Sequence, residues 1–162
     1  MPIALAGLAC GALVFGATAQ PTPRLVWNAS ASVPTGLYRV TPVAGVSRGD
    51  LVVASLPARV RELADSRGYL PAPIPLVKPV VATAGDRVCA SGSSVTVNAR
   101  RVATRYRADA AGRLLPQWQG CRTLRSDEVF LLAPPAGSFD GRYFGVSRGV
   151  DVIGRAMLVW RS

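Results

Sequence analysis

Between Arg24 and the C-terminus the apolar runs are short, and glycine, proline or a polar cluster stops each one. A chain punctuated this way cannot build long helices. Short runs rich in β-branched residues read instead as strands, usually about five to six residues each. The pattern predicts strands over 36–40, 50–54, 76–83, 94–97, 100–106, 129–132 and 152–160. Within them V-T-V-N-A-R-R-V reads as a hairpin with Asn98-Ala99 at or near its turn, without the glycine such turns favour. One helix is predicted, over 57–68. Val60, Leu63 and Ala64 form its inward stripe, its charged residues face water, and Gly68 stops it. The proline-rich stretch 69–76 is expected to be an extended loop leading into a strand. Hydrophobic residues at 49% against charged residues at 17% favour a packed body over disorder, and 162 residues suit one core. The predicted class is therefore mainly β, an antiparallel domain over 24–162 with one short helix.

Ahead of that body, 3–19 is an almost unbroken apolar run closed by Pro21 and Pro23. As a helix it would span roughly 26 Å, slightly short of a hydrocarbon core of roughly 30 Å. Residues 1–20 therefore read as a transmembrane anchor or as a removed signal segment, and both mean export. Ala17-Thr18-Ala19 ahead of Gln20 looks like a cleavage site, while the missing basic start favours the anchor. Lipid attachment at Cys10 is not expected, because G-L-A-C lacks an aliphatic residue three positions earlier. Outside this run stand Cys89 and Cys121. An exported compartment permits disulfides, so the two are expected to be bonded; buried free thiols are the alternative.

Basic residues number 19 against 9 acidic ones, a net charge of +10, and every basic residue but Lys78 is arginine. Only Arg100, Arg101, Arg105 and Arg107 cluster locally, without the interleaved aromatics of a nucleic-acid surface. No nucleic-acid partner is expected, and membrane lipid with anionic headgroups fits better beside the apolar N-terminus. There is no histidine. That removes Ser-His-Asp and Cys-His chemistry, His-ligated zinc and the usual base near neutral pH. With only two candidate thiols outside the apolar run and no glycine-rich phosphate loop before a helix, no metal or other cofactor is expected.

The lone lysine lies in L-V-K-P-V-V-A. Aliphatic residues on both faces mark a buried strand, where desolvation favours the neutral amine and makes it a usable base. Arginine cannot do this, since its pKa stays above about 12. The alternative is a lysine that snorkels past the strand edge. Ser32, in N-A-S-A-S-V-P-T-G-L-Y, sits where Pro34 and Gly36 fix a turn before a strand, a rigid mounting for a nucleophilic hydroxyl. Ser30 in the same stretch would serve equally well to bond a local backbone group.

Four stretches now stand in order: S-V-P-T-G-L-Y, R-G-D-L-V-V-A, L-V-K-P-V-V-A-T-A-G-D-R-V-C and S-F-D-G-R-Y-F-G. Together they resemble the boxes of the type I signal peptidases (S26), above all their conjugative-transfer branch, the TraF-type peptidases, over about 28–156. The resemblance implies a signal-peptidase-like antiparallel β domain and a Ser-Lys serine peptidase. By it Ser32 is the acylating nucleophile and Lys78 the general base. Ser30 helps the Ser32 N–H hold the oxyanion, Ser138 orients the lysine amine, and Asp140 and Arg142 support the site. The chain lacks the methionine after the serine found in leader peptidases, and its S-x-P spacing is one residue shorter. The implied partner is an exported precursor protein, a pilin precursor among them, cut at the outer face of the inner membrane. Hydrolysis and cyclisation are both open as outcomes. The domain is expected in the periplasm, on a single-pass anchor or soluble after signal cleavage. General leader peptidases and self-cleaving repressor-type proteins share the dyad, the latter disfavoured by the apolar N-terminus. Outside enzymes the alternative is a non-catalytic β-module of a secretion or pilus assembly.

Overall fold

A computed structural model describes residues 24–162, and the apolar run, with the candidate cleavage site at 17–19 and Cys10, lies outside them. Among the described residues no helix is long and apolar enough to cross a membrane. The elements run β1 (Leu25–Asn28), β2 (Gly36–Thr41), β3 (Leu51–Ala54), α1 (Ala58–Ser66), β4 (Leu76–Ala82), β5 (Arg87–Ser91) and β6 (Ser94–Val97). They continue with β7 (Arg100–Thr104), β8 (Gly120–Thr123), β9 (Glu128–Leu131), α2 (Gly141–Phe144), β10 (Ser147–Arg148) and β11 (Val152–Arg161). The main sheet has the order β1-β2-β11-β3-β4-β9-β10 and the smaller one β7-β6-β5-β8. Every strand pair is antiparallel. The mainly β class is as the punctuation predicts.

Local chemistry sets the element ends. Gly68 has φ +69°, its N–H donates to Asp65 O, and the Tyr69 N–H reaches back to Ala64 O. That paired closure uses two carbonyls the helix end would otherwise leave open. Val60 and Ala64 are buried, with Leu63 half-buried beside them. The β6–β7 turn is the two residues Asn98 and Ala99, both at positive φ, between the paired Val97 and Arg100. Asn98 earns its place there, since its side chain donates to Asp86 Oδ1 and accepts from Arg87 N. Cys89 and Cys121 face each other across β5 and β8 and are disulfide-bonded.

Three apolar clusters fill the interior. One packs α1 on β3, β4 and β9 through Val52, Ala54, Val60, Ala64, Val80 and Leu131. A second, around Val88, Val95, Phe130 and Leu132, joins the small sheet to the large one. The third, with Tyr38, Val53 and Val77, lies on the other face of β4. Strand β4 is thus covered on both faces and flanked by β3 and β9, an interior position in the sheet.

Candidate active site

Lys78 stands opposite Val52 in the β3–β4 register and shares a strand face with Leu76 and Val80. It is 4% exposed, so it does not snorkel. Burial pulls its pKa from the usual 10.5 down to about 8; the Asp140 carboxylate pushes it up and the Arg142 guanidinium lowers it. The Nζ donates to Ser138 Oγ at 2.5 Å, and Ser138 Oγ lies 3.1 Å from Ser32 Oγ. The link from the Lys78 amine to the Ser32 hydroxyl therefore runs through the Ser138 hydroxyl.

Ser32 is half-buried in the turn between β1 and β2. The turn is built by Asn28, whose Nδ2 donates to Ser30 O, Val33 O and Pro34 O while its Oδ1 accepts from Ser30 N. Tyr38 Oη also donates to Pro34 O, at 2.7 Å. One buried amide and one phenol thus hold the loop from inside. Ser30 Oγ donates to Ser32 Oγ at 2.8 Å and accepts from the Ser32 N–H at 3.2 Å. The local backbone contact expected of a turn serine is present, and so is a contact with the neighbouring hydroxyl.

Ser138 rides on the loop between β9 and α2, which a buried ion pair braces. Asp140 is fully buried and caps α2 by accepting from Arg142 N. Its carboxylate also accepts from Ala133 N, Arg142 Nε and Arg142 Nη2. Arg142 in turn donates to Ala133 O. A buried charge pair persists where its hydrogen bonds are filled in this way. Gly141 between them is obligatory, since a Cβ there would lie 2.7 Å from Leu131 O and 2.8 Å from a Phe130 ring carbon.

The three hydroxyls and the amine open on a cleft of about 930 Å³, lined also by Trp27, Leu70, Ile74, Tyr106 and Phe139. Such a space admits an extended peptide, and its apolar walls suit short aliphatic side chains. An amine with lowered pKa wired to a mounted hydroxyl, beside a second hydroxyl and an N–H, is the equipment of acyl transfer. The structure brings together all of Ser30, Ser32, Lys78, Ser138, Asp140 and Arg142. Cys89 and Cys121 sit apart from them in the small sheet. The arginine cluster does not present one surface, because Arg105 is buried and donates to Gly92 O and Trp118 O. Sequence reasoning missed Asn28 and Tyr38. The only signal was an asparagine two residues before Ser30, a spacing from which its amide can close an Asx-type turn.

The chain is 38% identical over 143 residues to a probable conjugal transfer protein TraF of Sinorhizobium fredii, covering 82% of this chain and 74% of that one. It is 35% identical over 146 residues to a plasmid transfer protein TraF of Escherichia coli, covering 82% of each. A crystal structure of a signal peptidase I from Enterococcus faecalis aligns with TM-score 0.41 and 16% identity, over 70% of this chain and 98% of that one. The model of the family described as signal peptidase, peptidase S26, matches residues 1–161, and the chain belongs to that family.

Proposed function

We propose that the protein is a Ser-Lys serine endopeptidase that processes exported precursor proteins at the outer face of the inner membrane, with a pilin precursor of a conjugation apparatus as its substrate. The observation that carries this reading is the unbroken path Lys78–Ser138–Ser32 at the floor of a peptide-sized cleft. Neutral Lys78 takes the proton of Ser32 through the Ser138 hydroxyl as Oγ attacks the substrate carbonyl. The Ser32 N–H and Ser30 hydroxyl turn from each other toward the oxyanion, and the lysinium returns a proton to the departing amine as the C–N bond breaks. Water then releases the acyl group as an acid; an amino terminus of the same substrate would release it as a cyclic amide, lighter by one water.

Relatives named for conjugal and plasmid transfer support the substrate class. The apolar run at 3–19, the charge of +10 and an exposed apolar edge at the cleft mouth support a place on the membrane. A β-lactam-type acylating probe tests the chemistry. The intact chain should gain the probe mass on Ser32, while Ser32→Ala and Lys78→Arg should gain none. Labelling retained by Lys78→Arg would dismiss the base, since a guanidinium does not accept the proton. No labelling of the wild type, with no cleavage of precursor, would leave a non-catalytic β-module.

A further inference from the structure

One wall of the cleft comes from a segment the mechanism does not use. Between β7 and β8 the chain makes a small hairpin, bridged at Ala108 and Leu114, and it contributes Ala108, Asp109 and Ala110 to the cleft lining. Asp109 makes the hairpin by accepting from Ala111 N, Arg113 N and Arg113 Nε. Its remaining oxygen capacity goes to Tyr69, whose Oη donates to Asp109 Oδ2 at 2.5 Å. The Arg113 guanidinium lies 5.4 Å from the centre of the Tyr69 ring, and Arg67 Nη1 donates to Leu114 O. A carboxylate so fully engaged has nothing left for a substrate cation. It is a fastener.

What it fastens to matters. The Tyr69 ring packs 4.9 Å from Phe139, and Phe139 stacks at 6.0 Å on Tyr143, whose Oη accepts from Tyr106 N at the start of the same hairpin segment. Phe139 directly follows Ser138. The hairpin is therefore held through two tyrosine hydroxyls to an aromatic stack that carries the hydroxyl between Lys78 and Ser32.

We infer that the 108–114 hairpin, clasped to Tyr69 through Asp109, is the specificity-determining wall of the cleft, setting the room for the substrate side chain beside the scissile bond. The inference rests on the peptidase reading. Tyr69 acts as a positioning residue, and Ala108 offers a small side chain that leaves the pocket open. Discrimination by such a wall is a matter of one or two methylenes, worth roughly ten- to two-hundredfold in kcat/KM.

The test uses the full chain in detergent micelles and two synthetic precursor peptides that differ only in Ala or Leu before the cut bond. Tyr69→Phe removes the Asp109 clasp, loosening the wall at its cleft side, and should lower the Ala-over-Leu ratio of kcat/KM about tenfold, with the change in KM. Ala108→Leu fills the pocket and should raise that ratio by a similar factor of about ten. Because both peptides are compared within one variant, general damage to the site cancels in the ratio. Ratios that stay within about twofold of wild type in both variants, or that move the same way in both, overturn the inference. A wild type that cleaves and labels while those ratios stand still would defeat the wall alone; a wild type that does neither would defeat the peptidase reading and the wall with it.

Discussion

Setting a primary amine between Leu76 and Val80 on the inner face of β4 costs the fold stability, and the sign of the cost can be followed with pH. With a folded pKa near 8 against 10.5 for the free side chain, the unfolded chain holds a proton that the folded chain has shed between those values. Stability from this group is therefore full above about 10.5 and is lost as pH falls through about 8. Below that window the buried charge costs on the order of 3 kcal/mol, at roughly 1.4 kcal/mol per pKa unit. Lys78→Met fills similar volume without the charge. At pH 7 it should unfold at higher denaturant than wild type, by up to that amount, while processing no precursor. The advantage should shrink as pH rises past 8, and guanidinium titrations of both proteins at pH 7 and pH 10 measure it. In the wild type, kcat/KM should rise with pH and level off above about 8, because in the proposed mechanism only the neutral amine takes the Ser32 proton. Ser30→Ala should slow acylation about a hundredfold without abolishing it, the loss of one oxyanion donor of two, whereas Ser32→Ala should abolish it. Single-turnover labelling separates the two.

Among the elements, most with a repeating physical pattern were legible, although β1 and the alternating β5 were not picked out, and those defined by one contact were not. Strand β4 announced itself by aliphatic residues on both faces, and α1 by its stripe and Gly68. By contrast β8 is exposed at all four positions, so no alternation marks it, and its place comes from pairing with β5 at Cys89 and Cys121. Strand β10 is two residues paired to β9, and α2 is a single turn, too short for any helical period. The same contrast holds at the site. Ser32 and Lys78 could be picked out as a mounted hydroxyl and an exceptional amine, but the order in which the hydroxyls touch depends on where the β9–α2 loop lies, which only tertiary packing sets. The 108–114 hairpin was invisible because Asp109 and Tyr69 lie 40 residues apart. That loop gives a test at the scale of an element. Gly141→Ala pushes a methyl into the Leu131 carbonyl and the Phe130 ring, so β9 and α2 must part. A loss of about 1–3 kcal/mol in stability is expected from such overpacking. Because Ser138 sits on the displaced loop, probe labelling of Ser32 should fall further than the unfolded fraction accounts for, which a parallel denaturant curve checks.

At the scale of the whole molecule, two surfaces that are unfavourable in water lie together. Strands β1 and β11 both pair with β2, so Trp27 and Trp160 come to flank Leu37, their ring centroids 5.6 Å apart. Trp27 is 51% and Trp160 60% exposed, with Leu25, Met157, Leu158 and Val159 also open to solvent. An apolar edge of this kind, rich in tryptophan and set on a body of charge +10, has the chemistry of a bilayer interface bearing anionic headgroups. It also adjoins the cleft, since Trp27 and Ile74 line the mouth. A substrate emerging from the membrane would then meet Ser32 without first crossing water. Trp118, the third tryptophan, is half-buried against Phe130 and donates to Gly141 O, which makes it an internal control. In vesicles containing anionic and brominated lipid, single-tryptophan variants of the full chain should show quenching at Trp27 and Trp160 and little at Trp118. Replacing Trp160, which stands outside the cleft lining, with serine should slow cleavage of a membrane-held precursor while leaving a soluble peptide cut at its former rate. Equal quenching at all three positions, or equal slowing on both substrates, would place this edge away from the bilayer.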